Sequence, residues 1–165
     1  MKTKILNILG IILIVALVIV AVICIIRPML KEDKIIENTD LQYKTEAIKT
    51  HIYKEDIQES VVDIINNISD LNKYIADYSD NILNEKLSKY TEEYFTTKSL
   101  IIVTKPESSG SNTNEINRIE KTNNTLNIYV ERQVAEIGTA DMAMWHLIIE
   151  LEKEIIQDIE EITVK

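Results

Sequence analysis

Residues 57–82 read IQESVVDIINNISDLNKYIADYSDNI, and the way this stretch folds decides between one long helix and a mixed domain. Ile57, Val61, Ile64, Ile68, Leu71, Ile75, Tyr78 and Ile82 are spaced 4-3-4-3-4-3-4. Taken literally, that is a heptad seam, and it describes a long helix or a coiled coil. The same stretch contains Val61-Val62-Asp63-Ile64-Ile65, and so many β-branched residues suit the pleated surface of a strand. Ser69 can serve as an N-cap, with Asp70 in the first turn, where a carboxylate meets the positive end of the helix dipole. On that reading a strand ends near Ile68 and a helix runs over 70–78. We take strand-then-helix as the expectation, with the seam as its alternative.

Outward toward the C-terminus, Leu83, Leu87, Tyr90 and Tyr94 lie along one face of a second helix expected over 84–96. Leu100-Ile101-Ile102-Val103 reads as a short buried strand, ended by Lys105-Pro106 and the polar loop Glu107–Asn114. A strand over 115–121 follows, then a turn at Asn123-Asn124, residues that tolerate positive φ. Leu126, Ile128 and Val130 alternate with Asn127, Tyr129 and Glu131, the period-2 pattern of a half-buried strand. After a loop carrying Gly138, the run Met144–Leu151 places Trp145, Leu147, Ile149 and Leu151 on one face and Met144, His146, Ile148 and Glu150 on the other. A last strand is expected over 159–164. Strands joined by short connections imply an antiparallel meander. The expected class is therefore α+β: a small domain with an antiparallel β meander and two short helices. Tyr74, Tyr78, Tyr90 and Tyr94 are read as core residues with hydroxyls at the surface, with a partner surface as the alternative, and Asn67 and Asn123 as cap and turn residues.

Toward the N-terminus, Ile5–Ile26 is 22 residues without a charge. At about 1.5 Å per residue a helix of that length spans roughly 33 Å, enough for a hydrocarbon core of about 30 Å. It is longer than the apolar region of a cleaved signal peptide, and bulky Ile23 and Ile25 flank Cys24. Residues 1–30 are therefore read as a signal-anchor transmembrane helix, residues 31–42 as a tether and residues 43–165 as an extracytoplasmic α+β domain. Residues 1–34 carry five basic and two acidic groups, leaving 13 basic and 25 acidic groups on residues 35–165. A domain of net −12 is repelled by nucleic acid and by anionic lipid headgroups. It also contains no cysteine, so it carries no thiol to be oxidised outside the cell. The expected location is the cell membrane, single-pass through residues 5–26, with the C-terminal domain outside.

Chemistry-bearing residues are few. Glu136, Thr139, Asp141, Trp145 and His146 crowd one stretch, VAEIGTADMAMWHLIIEL. One reading is a binding or hydrolytic site at a loop-to-strand junction, with His146 as acid, base or ligand and Asp141 orienting it. The other has Gly138 permitting the turn, Thr139 or Asp141 capping backbone donors, and Trp145 filling the core, with His146 on the opposite sheet face. No nucleophile motif accompanies them. The two histidines, His51 and His146, have no metal-ligand spacing. No catalytic residue, metal or cofactor is expected.

The order Tyr90-x-x-x-Tyr94-Phe95-x-x-Lys98-x-Leu100, a Ser-Gly-Ser loop at Ser109–Ser111, and then Glu136-Ile137-Gly138-Thr139-x-Asp141-Met142-Ala143-x-Trp145-His146 resembles a family of uncharacterised exported proteins of low-GC Gram-positive bacteria. More remotely it is similar to the C-terminal domain of PrcB-type protease-complex subunits. The resemblance covers roughly residues 46–152 and implies a non-catalytic accessory role at most. The expected function is a membrane-anchored extracytoplasmic interaction module, with another envelope protein as its candidate partner.

Overall fold

Four consecutive apolar residues, Leu100–Val103, can be buried together only if both faces of their strand are covered. The computed structural model, which describes residues 41–54 and 57–165, meets this with three layers. In chain order the elements are β1 (Lys44–Thr50), β2 (Val61–Ile65), α1 (Ile68–Tyr78), α2 (Asn81–Leu87), a 3-10 turn (Tyr94–Thr96), β3 (Lys98–Glu107), β4 (Thr113–Thr122), β5 (Thr125–Gln133), β6 (Ala143–Glu152), α3 (Lys153–Gln157) and β7 (Glu161–Val164). The first sheet has the order β1-β6-β3-β2, and every neighbouring pair in it is antiparallel. The second has the order β4-β5-β7.

The two central strands, β3 and β6, sort their side chains by parity. Leu100 and Ile102 of β3 join Met144 and Ile148 of β6 under Leu71, Tyr74, Leu83 and Leu87 of the helices. Ile101 and Val103 join Leu147, Ile149 and Leu151 against Ile119, Leu126 and Ile128 of the second sheet. The two-face reading of Met144–Leu151 is thus what the structure shows. Each fully buried aliphatic side chain contributes roughly 1.5–3 kcal/mol by leaving water.

The heptad seam gives way to a strand and a helix. Asn67, not Ser69, is the N-cap of α1: its Oδ1 accepts from the Asp70 amide at 2.9 Å. The strand accordingly stops at Ile65 rather than near Ile68. The expected helix over 84–96 is split. Its first part starts earlier, capped by Asp80 through the Leu83 amide at 2.9 Å, and ends at Leu87. There Ser88 turns its hydroxyl back onto the Glu85 carbonyl at 2.7 Å, a local bond that competes with further helix. Tyr90 and Phe95 then reach the core from the segment around the 3-10 turn.

A continuous meander is not what forms. After β3 the chain leaves the first sheet for the second, and it returns in β6 to lie between β1 and β3. The pattern itself explains this: β3 and β6 are apolar on both faces and take the centre, whereas β5 alternates and needs only one covered face. The last strand is shorter than expected and pairs parallel, not antiparallel, with β5. Residues 153–157, unassigned in the sequence reading, form a third helix, and residues 44–50 form an edge strand on β6. The β4–β5 turn is as read, with Asn123 at φ 53°.

The anchor expected at residues 1–30 and nearly all of the tether expected at 31–42 lie outside the described residues. Among the described residues no helix is long and apolar enough to cross a membrane.

Candidate functional site

His146 and Asp141, paired in one reading of the sequence, face different neighbours. His146 lies in β6 with no exposure at all, its ring turned toward α1. Its Nδ1 is 2.6 Å from the Tyr74 hydroxyl and its Nε2 is 3.1 Å from Thr50 Oγ1. The Tyr74 hydroxyl is also 2.7 Å from Thr104 Oγ1, and Thr50 Oγ1 donates to the Met144 carbonyl at 3.4 Å. These contacts are self-consistent for a neutral ring: Thr104 donates to Tyr74, Tyr74 donates to Nδ1, and Nε2–H donates to Thr50. Burial pushes His146 down to about 4, with the Lys54 charge adding to the effect and Asp80 opposing it. Burial also raises Tyr74 above the usual phenol range. The quartet is closed and internally satisfied, which makes it a specificity device of the core. Tyr74 and Tyr78 line the inner wall of a cleft of about 310 Å³ between β2 and α1. The orienting role read for Asp141 is held by Tyr74 and Thr50, two residues with no sequence pattern linking them to His146.

Trp145 points the other way, into the core between the sheets, with its indole Nε1 buried and unpaired. Glu136 is exposed. Thr139 and Asp141 fasten the 134–142 loop to the 108–112 loop. The Gly110 amide donates to the Asp141 carbonyl at 2.9 Å and toward its Oδ1 at 3.2 Å. The Thr139 amide donates to Ser109 Oγ at 2.9 Å, and Ser111 Oγ donates to Thr139 Oγ1 at 2.9 Å. At the near end the Ala135 amide donates to Asn112 Oδ1 at 3.1 Å, while Lys49 Nζ holds the Gly110 carbonyl at 2.8 Å. Hydrogen bonding from Thr139 foremost, with backbone amides and the Lys49 charge, keeps Asp141 below the ordinary carboxylate range.

A Cβ on Gly110 would collide with the Asp141 carboxylate. Because that carboxylate ends a flexible side chain, Gly110→Ala is expected to displace it rather than unfold the domain. The measurable outcome is amide exchange over residues 134–142 that is faster by roughly tenfold, equivalent to one lost hydrogen bond, with the urea midpoint nearly unchanged.

Between its fastened shoulders and just outside them the loop presents apolar side chains to water. Ile137 is 85% exposed, Val134 65% and Met142 43%. Beside it lies a cavity of about 250 Å³, lined by Tyr53, Lys105, Glu107, Arg132 and Met142 among others. Glu107, read in the sequence as part of a polar surface loop, is only 3% exposed. Arg132 grips it with Nε and Nη2, each at 2.8 Å, and the Asn112 and Asn114 side-chain amides add donors at 2.8 and 3.3 Å. Chiefly through Arg132, these bonds bring Glu107 down to about 2. No local signal marks this cluster, because Arg132 joins from 25 residues away.

The lowered value means that the Glu107–Arg132 pair stabilises the fold fully above the unfolded carboxylate range, with that contribution lost as pH falls toward 2. Arg132→Gln is therefore expected to destabilise the protein at pH 7 and to differ little from the parent at pH 2. Urea titrations at the two pH values check this.

No family model matches the chain, and neither a curated protein nor a solved structure matches it.

Proposed function

We propose that the protein is a membrane-anchored extracytoplasmic interaction module without catalytic activity, and that the 134–142 loop is its contact surface. The observation that carries this is Ile137: a large apolar side chain standing in water at the tip of a loop hydrogen-bonded on both shoulders. Single exposed apolar residues are ordinary, but three from one nine-residue loop are the pattern of a recognition surface. Thr139 and Asp141 then act as positioning residues for that loop, and His146 as a core residue.

β1 enters opposite Glu150, near the end of β6, whereas the loop leads into β6 at its start. The loop is thus at the end of the first sheet opposite the start of β1. A hydrolytic or small-ligand role for Asp141 and His146 gains nothing from the geometry, since the closed quartet leaves His146 no open face.

Site-specific photocrosslinking in intact cells tests the proposal. A photoreactive residue at position 137 is expected to capture a defined envelope protein that the same residue at exposed Glu154 does not capture. Identical adducts at both positions, or none at 137, would overturn it.

A further inference from the structure

The cavity beside the loop has a charge that its surroundings do not. In a domain of net −12, the described residues that line it include Lys105 and Arg132 and one carboxylate, Glu107. That carboxylate is already consumed, because Arg132, two asparagine amides and the Ser108 backbone all donate to it. Lys105 forms no ion pair among the described residues. Arg132 commits Nε and Nη2 to Glu107, which fixes the plane of its guanidinium, and its side chain stays 41% exposed. A bidentate grip of this kind preorganises a cation, so that a third party meets it without a large ordering cost. The cavity is continuous with the contact loop, because Met142 belongs to both.

We propose that this cavity receives one acidic side chain from the partner segment that covers Ile137, so that the partner is recognised by a single carboxylate set among apolar residues. The inference rests on the reading of the 134–142 loop as the contact surface and adds the chemistry of what binds there. Lys105 supplies the cation that has no ion-pair partner among the described residues, Arg132 the fixed one, and Tyr53 with Met142 the apolar walls. The net −12 of the domain sharpens this choice. Charges beyond about 8–10 Å are screened at physiological salt, so a lone carboxylate inside the cavity responds to the net positive charge left by Lys105, Arg132 and Glu107. An acidic run would instead lay its remaining charges along a like-charged surface. The same argument disfavours a second copy of this domain, which would bring another −12.

The test uses the full chain in detergent micelles and fluorescein-labelled peptides blocked at both termini, so that only side chains carry charge. The sequence Ser-Val-Ser-Glu-Ile-Val-Ser is compared with versions in which Glu is replaced by Gln or by Lys, and with one carrying three consecutive Glu. Fluorescence anisotropy is expected to rank the single-Glu peptide tightest, by roughly tenfold over its Gln version. Lys105→Gln should erase that advantage while leaving the Gln peptide unchanged. Ile137→Ser should weaken the Glu and Gln peptides alike. Equal binding of the Glu and Gln peptides, insensitivity to Lys105→Gln, tighter binding of the three-Glu peptide, or no binding of the single-Glu peptide at about 1 mM overturns the inference. Loss through Ile137→Ser without any charge preference overturns this inference and leaves the contact loop standing. A charge preference indifferent to Ile137→Ser removes the loop instead.

Discussion

Lowering the pH from 6.5 to 4 is expected to strip about 3 kcal/mol of stability from this protein through His146 alone. The sign follows from which state takes up the proton. In the unfolded chain His146 titrates near 6.5, whereas in the fold burial holds it neutral until about 4. Between those values the unfolded state binds a proton that the folded state refuses, so stability falls as pH falls. The contribution is complete above 6.5, declines through the window and levels off below 4. The gap of about 2.5 units corresponds to the 3 kcal/mol, at 1.36 kcal/mol per unit. Other acids titrate in the same range, so the informative quantity is a difference. His146→Gln cannot take up a proton, and its stability should be flatter with pH than the parent's by that amount. Parallel curves would mean that the ring is not held neutral by the core. The closed quartet supplies the structural reason: protonating Nδ1 would oppose the Tyr74 proton donated to it.

Tyr74→Ala is expected to cost about 3–5 kcal/mol, enough to unfold much of a marginally stable domain at room temperature. The ring is buried against Tyr78 and His146, with ring centroids 4.9 and 5.9 Å away. Removing it opens a void and strands two buried polar atoms, His146 Nδ1 and Thr104 Oγ1. Tyr74→Phe separates the two effects. It keeps the ring and loses only the hydroxyl, at a cost of about 1–3 kcal/mol for the orphaned partners. Combined with His146→Gln, the phenylalanine change should cost less than the sum of the single changes, because one shared hydrogen bond is counted twice. Guanidinium titrations of the four proteins give the cycle. Full additivity would show that Tyr74 and His146 do not act as one network.

The parts of this fold that could be read in sequence were those where one strand's pattern carried the whole signal. Met144–Leu151 announces two buried faces because its apolar residues hold both parities, and the structure places it at the centre of a sheet. The strand over 113–122 was legible only in outline. Ile116 and Ile119 are three apart, which breaks period two. A bulge between Ile116 and Arg118 absorbs the extra residue and returns Ile119 to the core. Beyond the β4–β5 hairpin, whether consecutive strands would pair with one another was not legible, because that depends on which strands need two covers. The parallel β5–β7 pairing comes from the same long-range choice.

The candidate residues divide along similar lines. Gly138, Thr139 and Asp141 declare a turn with side chains able to cap, and they do fasten a loop. Their partners, Ser109 to Ser111, come from a loop 28–31 residues away. His146 could be placed on a sheet face but not given its neighbours, since Thr50, Tyr74 and Thr104 come from three separate elements. The cavity at Lys105 and Arg132 was least visible, being built across two sheets.

The most direct test of the account uses the absence of cysteine from residues 35–165. Cysteines placed singly at exposed Glu92 and at Ile137 can be labelled with a membrane-impermeant maleimide, in intact cells and in purified protein. The result expected is rapid labelling of Glu92→Cys in both settings, with Ile137→Cys rapid when purified and slow in cells, where its partner covers it. Equal rates for the two positions in cells would contradict the contact loop, and no labelling of either would contradict an external domain.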